Sequence, residues 1–581
     1  MSALKRQWPW IALSLVLSAY YLTTISRELG GHLGGDNVVY YLLGKALSEG
    51  DGYVDLYLPG HPVHHKFPFV LPVLLAPFHL VFNDPLLPMH AMASLGWAAA
   101  AILFGIGTAR RLGDRRAGLA LGLLAGTLPR LYLQSAHLLS ESAYMVFVFA
   151  ALLAVAGDRK QELRPPSVWR LTLLSLLAFF TRTTGVALGA ALGLELWRRR
   201  ARTPVGSRSV PSWLILAAIF GSGVLVWMAF GSAGSGKFVY FNQFLSLDPY
   251  QADLGQADLG DLFIRVKDNL IYYLPAVGIF SLSPLTFAAQ EETLVLVLGA
   301  LAFLLILVGI GRELRRGHTA AEVFFLLSLL IVLVWPYSEQ RFIMPVLPLG
   351  VFYLFAGLDT ALALAVSEAR RRRALLVFYL IVLVLQGALL AGSVRDRFAD
   401  GLEPKDPVYV PGFGQWRWPV VNWANYDLSY RRGDVREKNI MHQMTNYLII
   451  NYVLANVSPE NAVVLSRKPM YTFYLSGRES VPIIPNPNPD WQWNYILERQ
   501  VDYVVSGLDE EALQPMLDEW PERFKLRAMI GDEDAAIYKV LRPGTRAEDN
   551  PAEPDKTGKA QRRNQLKIPR WARQPHAPAG N

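Results

Sequence analysis

Between residues 5 and 394 the chain returns repeatedly to apolar runs close to the roughly 20 residues that cross a hydrocarbon core, with short basic clusters between them. This constrains the fold more than any motif does, because a backbone in lipid must satisfy its own polar groups and so must be helical in each run. Of 581 residues, 52% are hydrophobic and only 18% charged, with a mean hydropathy of +0.24, too apolar for an ordinary soluble enzyme. Lys+Arg exceed Asp+Glu by 56 to 48, a net charge of +8. The basic residues fall between apolar runs, the pattern of inner-side loops, so no nucleic-acid partner is expected. The absence of cysteine excludes disulfides, thiolate metal sites and a cysteine nucleophile.

Lys5 and Arg6 precede the first run and no small-x-small cleavage site follows it. It therefore reads as a retained span with a cytoplasmic N-terminus. Residues 26–88 form an outer loop, whose Pro-punctuated apolar part, 67–82, reads as re-entrant or interfacial helices. Further spans are expected at 90–108, 117–132, 142–156, 212–230, 293–310, 322–336, 342–364 and 374–394, with a helical hairpin turning at TRTTG in 181–185. A single helix there would leave WRRRAR on the outer side, against the positive-inside rule. Eleven crossings result, with every strongly basic junction on one side. The intervening outer stretch, 231–292, is acidic and carries a duplicated QADLG; its apolar part, 270–287, reads as interfacial.

From residue 396 the pattern changes. Alternating runs such as AVVLS, YTFYLSG, VDYVVSG and AAIYKV resemble strands with helices between them, an α/β domain ending near residue 542. The basic tail, 543–581, lacks the apolar content to fold and is expected to be disordered. The fold class is thus an α-helical polytopic membrane protein of about 11 transmembrane helices with a small C-terminal extracytoplasmic α/β domain.

The outer loop gathers Asp36, His64, His65 and Lys66 next to lipid. Glu141 heads the span at 142–156 on the same side, Arg182 lies in the hairpin turn, and Arg341 opens a later span with Tyr337 and Gln340 just before it. An acid that takes a proton and cations that hold a phosphate are what sugar transfer from a lipid-linked phosphate needs. Each residue also has a structural reading. Asp36 could cap a helix beginning at Asn37, Glu141 could complement a helix dipole, Arg341 could snorkel to headgroups, and Tyr337 could belong to an aromatic belt. No HExxH-type ligand spacing occurs. A monophosphate leaving group can be held by cationic side chains alone, so no metal or other cofactor is expected.

The segments GDNVVYYLLGKALSEGDGY and HHKFPFVLPVLLAPF of the outer loop, LLSESAYMVF, FFTRTTG and WPYSEQRFIMPVLPL follow in an order that resembles the GT-C class of membrane glycosyltransferases. They are most similar to bacterial glycosyltransferase family 39, the protein O-mannosyltransferase and lipid A aminoarabinose transferase group. The resemblance covers residues 1 to about 395. It implies inverting transfer of a hexosyl or pentosyl group from a polyprenyl-phosphate sugar to an acceptor hydroxyl on a lipid, polysaccharide or protein, at the outer face of the bacterial cytoplasmic membrane. Asp36 matches the base, with a pKa raised by its lipid-facing surroundings, and Glu141 is the second acid. Lys66, His65, His64, Arg182 and Arg341 are the candidates for the donor phosphate, and Tyr337 and Gln340 for the sugar or acceptor pocket. The departure is Asn37, where many relatives carry a second acid. A transporter or flippase for lipid-linked saccharides, or an assembly subunit, shares the many spans and buried cations; no inverted repeat favours the former.

Overall fold

The computed structural model describes residues 2–25, 29, 35–156, 165–201, 210–233, 239–249, 251–282, 293–317, 319–399, 408–410, 414–416, 435–484, 486, 488–508, 510–530 and 535–542. The expected disordered tail, 543–581, and most of the start of the outer loop, 26–34, lie outside these residues.

The helices in chain order are α1 Ser2–Leu22, α2 Asp36–Glu49, α3 Val70–Val81, α4 Leu86–Leu112, α5 Arg115–Gly126, α6 Pro129–Ser135, α7 Glu141–Val155, α8 Pro165–Thr181, α9 Val186–Ala201, α10 Ser212–Ser232, α11 Val239–Leu245, α12 Leu259–Leu282, α13 Thr293–Arg315, α14 Ala320–Val334, α15 Leu347–Ala363 and α16 Glu368–Ala399. Among the described residues, four helical segments are long and apolar enough to cross a membrane: Leu86–Leu112, Ser212–Ser232, Thr293–Arg315 and Gln340–Ala363. Shorter apolar helices lie at Val70–Val81, Glu141–Val155, Ser167–Thr181 and Ala320–Val334.

Small residues set the helix spacing, as expected where lipid supplies no hydrophobic drive for association. A Cβ on Gly309 would lie 2.0 Å from the Tyr353 carbonyl oxygen, and one on Gly357 would lie 1.9 Å from that of Leu305, so α13 and α15 touch backbone to backbone. The turn expected at TRTTG is present. Arg182 breaks the helix and a single 3-10 turn, Thr183–Gly185, follows. Arg182 pairs with Glu141 at the head of α7 while Arg199 donates to the Val155 carbonyl at its foot, so α8 and α9 run in opposite directions.

Two sequence expectations change. The span expected at 117–132 is two helices, because Pro129 starts a new helix after Thr127 and Leu128 leave helical geometry. The stretch expected at 270–287 is not broken at Pro275: that proline lies inside α12, and 283–287 fall outside the described residues. Asn269 and Tyr273 hydrogen-bond the segment 333–339, whereas Gly278 lies on Gly299 and Ser281 on Gly350. The helix therefore descends beside α13 with Tyr273, Ala276 and Val277 fully buried.

The C-terminal region carries a five-stranded sheet. Short hairpins precede it, β1 Ser246–Asp248 with β2 Gln251–Gln256 and β3 Val408–Val410 with β4 Gly414–Trp416. The sheet comprises β5 Val464–Ser466, β6 Ser480–Pro482, β7 Tyr503–Val505, β8 Phe524–Ile530 and β9 Ala535–Val540, in the order β6-β5-β7-β9-β8. The first three strands are parallel and β9 and β8 antiparallel. AVVLS, VDYVVSG and AAIYKV contain strands as read from sequence, but YTFYLSG does not. It lies in a helix, Pro469–Ser476, started by a proline and stopped by Gly477 at φ 71°. With α17 Val435–Val457 counted first, this helix is α18.

This domain does not stand apart from the membrane half. Val38, Val39, Leu42, Leu71, Leu75 and Met89 of the loop region share one buried cluster with Tyr447, Ile450, Val464, Tyr471 and Ile537. The Ser480 N–H donates to the Tyr57 carbonyl at 2.7 Å. The first loop is thus clamped between the helices and the sheet domain.

Candidate active site

Gly35 is in left-handed geometry at φ 75° and caps α2; its carbonyl takes the N–H groups of Val38 and Val39. Asp36 is the first helical residue, so it is not the cap that the sequence allowed. Its carboxylate turns to Arg341, whose Nη1 donates to Oδ2 at 2.7 Å. The Arg341 Nε donates to Glu339, an acid that sequence reasoning passed over. Arg341 and Asp36 are largely enclosed, at 12% and 16% exposure.

A second pair lies alongside. Glu141, fully buried at the start of α7, receives Arg182 Nη1 at 2.5 Å. That nitrogen also reaches the Ser140 hydroxyl at 3.2 Å, to which the Tyr40 hydroxyl donates at 3.3 Å. Arg182 and Arg341 lie in each other's field, as do Glu141 and Arg341, so the four groups form one ionic cluster drawn from α2, α7, the hairpin turn and the segment before α15. Tyr240 in α11 sits within the field of Asp36, Arg182 and Tyr40. Burial pushes the Tyr40, Tyr53 and Tyr240 hydroxyls up, which keeps them neutral; the Tyr40 proton goes to Ser140 and the Tyr53 proton to the Phe67 carbonyl at 2.7 Å, which leaves their oxygens as acceptors.

The remaining predicted residues divide. Lys66 lies over the Phe67 ring at 5.0 Å, and among the described residues no carboxylate comes within ion-pair distance of its ammonium. His65 bonds the Phe230 carbonyl at 2.9 Å through Nδ1 and packs on the Phe230 ring, tying the loop to the end of α10. His64 is corrected from a phosphate ligand to a structural residue. Its Nε2 accepts the Phe67 N–H at 2.8 Å, which leaves Nδ1–H to donate to Asp55 at 2.7 Å. With both nitrogens engaged and the ring buried, no N–H remains for a phosphate. Tyr337 lies in the field of Asp36 and Arg341 and is at the cluster. Gln340 is buried and bonded to the Tyr272 hydroxyl, so it braces the backbone beside Arg341.

Asn37 has a structural reason. Its Nδ2 donates to the Leu29 carbonyl and its Oδ1 accepts from Tyr471 Oη at 3.3 Å. A second carboxylate at this position would face the Leu29 carbonyl with no proton to offer. Tyr471 belongs to α18, and Met470 lies against Gly35, so the sheet domain abuts the first turn of α2. That docking brings in Lys468, which sequence reasoning missed. Lys468 lies in the field of Asp36, Glu339, Lys66 and Arg467, and its pKa is pushed down to about 8, chiefly by burial and then by the neighbouring cations. Among the described residues, no group of three or more His, Cys, Asp or Glu could hold a metal ion.

By sequence, the chain matches no protein-family model and no curated protein. Solved structures are similar in overall course. The archaeal oligosaccharyltransferase AglB from Archaeoglobus fulgidus, in complex with an inhibitory peptide and a dolichol-phosphate, aligns at 13% identity and TM-score 0.47 over 91% of this chain and 74% of that one. ArnT from Cupriavidus metallidurans bound to undecaprenyl phosphate aligns at 11% identity and TM-score 0.47 over 93% of this chain and 99% of that one.

Proposed function

We propose that the protein is an inverting GT-C glycosyltransferase that moves a hexosyl or pentosyl group from a polyprenyl-phosphate donor to an acceptor hydroxyl. The observation that carries this reading is the pairing of Asp36 with Arg341 beside Glu141 and Arg182, two acids and two guanidiniums held together by four separate chain segments. The acceptor oxygen forms a bond to the anomeric carbon as the bond from that carbon to the phosphate oxygen breaks. The electron pair leaves with the phosphate, and the acceptor proton passes to Asp36. General-base assistance of this kind is worth roughly 10²- to 10⁴-fold. Arg341 and Lys66 stabilise the charge that the phosphate gains, while Arg182 holds Glu141 towards the acceptor or sugar. The Tyr40 and Tyr53 oxygens, whose protons are spent on the protein, supply acceptors for the sugar hydroxyls.

Eleven crossings would set the ionic cluster and the sheet domain on the outer face of a bacterial cytoplasmic membrane, with the N-terminus inside. Catalysis proceeds without a divalent metal, since cationic side chains carry the phosphate charge. The test is sugar release from a radiolabelled panel of polyprenyl-phosphate sugars by purified protein, with native membrane extract supplying lipid, polysaccharide and protein acceptors. Consumption of one donor in excess chelator is expected. No consumption of any donor overturns the reading, and rescue by manganese after chelation overturns metal independence.

A further inference from the structure

Lys468 belongs to the sheet domain, yet its surroundings come from the membrane half. Asp36 on α2, Lys66 on the loop before α3, and Glu339 beside Arg341 all act on it electrostatically; Arg467 is its neighbour in the chain. Its backbone N–H is fixed by the Tyr447 hydroxyl at 2.9 Å, and the residues just after it are pinned to α2 through Met470 against Gly35 and Tyr471 to Asn37. The side chain is half-buried. Among the described residues, no carboxylate comes within ion-pair distance of its ammonium or that of Lys66.

Two unpaired ammonium groups in one partly closed space are costly unless an anion joins them. Asp36 and Glu339 cannot serve fully, because both are already bonded to Arg341. The cluster therefore has an excess of cations around an acid that already has its partner, which suits a doubly charged oxygen-rich ligand.

We propose that Lys468 is a phosphate-contacting residue supplied by the C-terminal domain, which closes with Lys66 on the phosphate of the polyprenyl donor and holds the polyprenyl phosphate formed when the sugar leaves. The inference rests on the glycosyl-transfer reading and assigns the C-terminal domain a part in the site itself. Domain docking and donor binding are then linked, since the same turn that touches α2 carries the lysine.

Charge linkage makes this testable. In the free protein the charged form of Lys468 is disfavoured, so its pKa lies below the ordinary 10.5 at about 8. A bound phosphate favours the charged form and raises that pKa. Binding therefore takes up a proton above pH 8, and affinity falls as pH rises through about 8 to 10. An arginine at the same position stays charged throughout.

The experiment measures binding of undecaprenyl phosphate to the full-length protein in nanodiscs, from pH 7 to pH 9.5, for wild type, Lys468→Met and Lys468→Arg. Inorganic phosphate and phosphatidic acid serve as competitors. The expected result is a loss of about 10- to 100-fold in Lys468→Met at pH 7, the size of a charged hydrogen bond. Lys468→Arg should keep its affinity and lose the alkaline decline. Wild-type binding that is equalled by Lys468→Met, or an alkaline decline unchanged in Lys468→Arg, overturns the role of Lys468 and leaves the transferase reading standing. Equal competition by phosphatidic acid or inorganic phosphate makes the lysine a general anion site and also overturns it. Absence of wild-type binding at any pH overturns both.

Discussion

Among the described residues, two buried clusters of arginine and carboxylate lie at opposite ends of the helices, and they are built differently. At the lower end, Arg111 of α4 bonds Glu313 of α13 at 2.8 Å and also Glu322 of α14, whose Oε1 accepts from Tyr353 of α15 at 3.1 Å. Arg312 and Arg371 close on Asp359 at 2.7 and 3.0 Å. Glu313 and Glu322 are almost wholly enclosed, and the Arg111 guanidinium lies 4.8 Å above the Phe352 ring. This cluster joins five helices, α4, α13, α14, α15 and α16. At the upper end, Asp36, Arg341, Glu141 and Arg182 come from a loop helix, a hairpin turn and two span ends, with unpaired lysines nearby. The lower cluster fits a fastener; the upper one fits the donor site proposed above. Arginine–carboxylate pairing alone therefore does not mark an active site, and what separates the two is that each arginine of the lower cluster has a carboxylate at ion-pair distance, whereas Lys66 and Lys468 beside the upper one have none among the described residues.

Substitutions should separate them. Arg111→Met leaves the enclosed Glu322 without its cation, while Glu313 keeps Arg316 at 3.2 Å, a loss of about 3–5 kcal/mol. Thermal unfolding in detergent should show a large fall in midpoint, with transfer per folded molecule unchanged; a stable Arg111→Met with impaired transfer would reverse the assignment. Arg341→Ala should do the opposite. Transfer drops roughly 10²- to 10³-fold, the cost of removing one donor to developing charge, with a smaller effect on unfolding. Gly35→Val places a side chain at φ 75° and against Met470, with Cβ about 3.0 Å from its sulfur. Strain of about 1–3 kcal/mol is expected, read as faster proteolysis of the C-terminal domain, and unchanged cleavage would mean the domain is not held there. The smallest effect on the donor belongs to His64→Gln. Stability should fall by about 1–2 kcal/mol while donor affinity stays within about 3-fold, and a tenfold loss of affinity would restore His64 to the phosphate set.

Much of this was readable in the chain. The apolar runs gave most helices, and the turn at Arg182 followed from keeping WRRRAR with the other basic ends. Asp36, Glu141, Arg182 and Arg341 stand out in the sequence as acids and cations beside lipid of the kind sugar transfer from a lipid-linked phosphate needs, and the structure pairs them with one another. What escaped depends on contacts far apart in sequence. His64 resembles His65 as a residue type, and only the Phe67 N–H and Asp55 decide that it is spent on the fold. Pro275 reads as a break, but the close approach of Gly278 to Gly299 keeps α12 against α13. Lys468 lies more than 400 positions from Asp36 and carries no local signal; its place follows from the docking of α18 on α2.

The most direct test of the upper cluster is a paired measurement on Asp36→Asn of donor binding and of single-turnover sugar transfer, with the consumed polyprenyl-phosphate sugar as substrate. The substitution keeps shape and removes the proton acceptor. The account predicts donor affinity kept or tightened and transfer lowered roughly 10²- to 10⁴-fold. Transfer at the wild-type rate in Asp36→Asn would contradict it, and the acid beside Arg341 would then be part of the scaffold like its counterparts around Arg111.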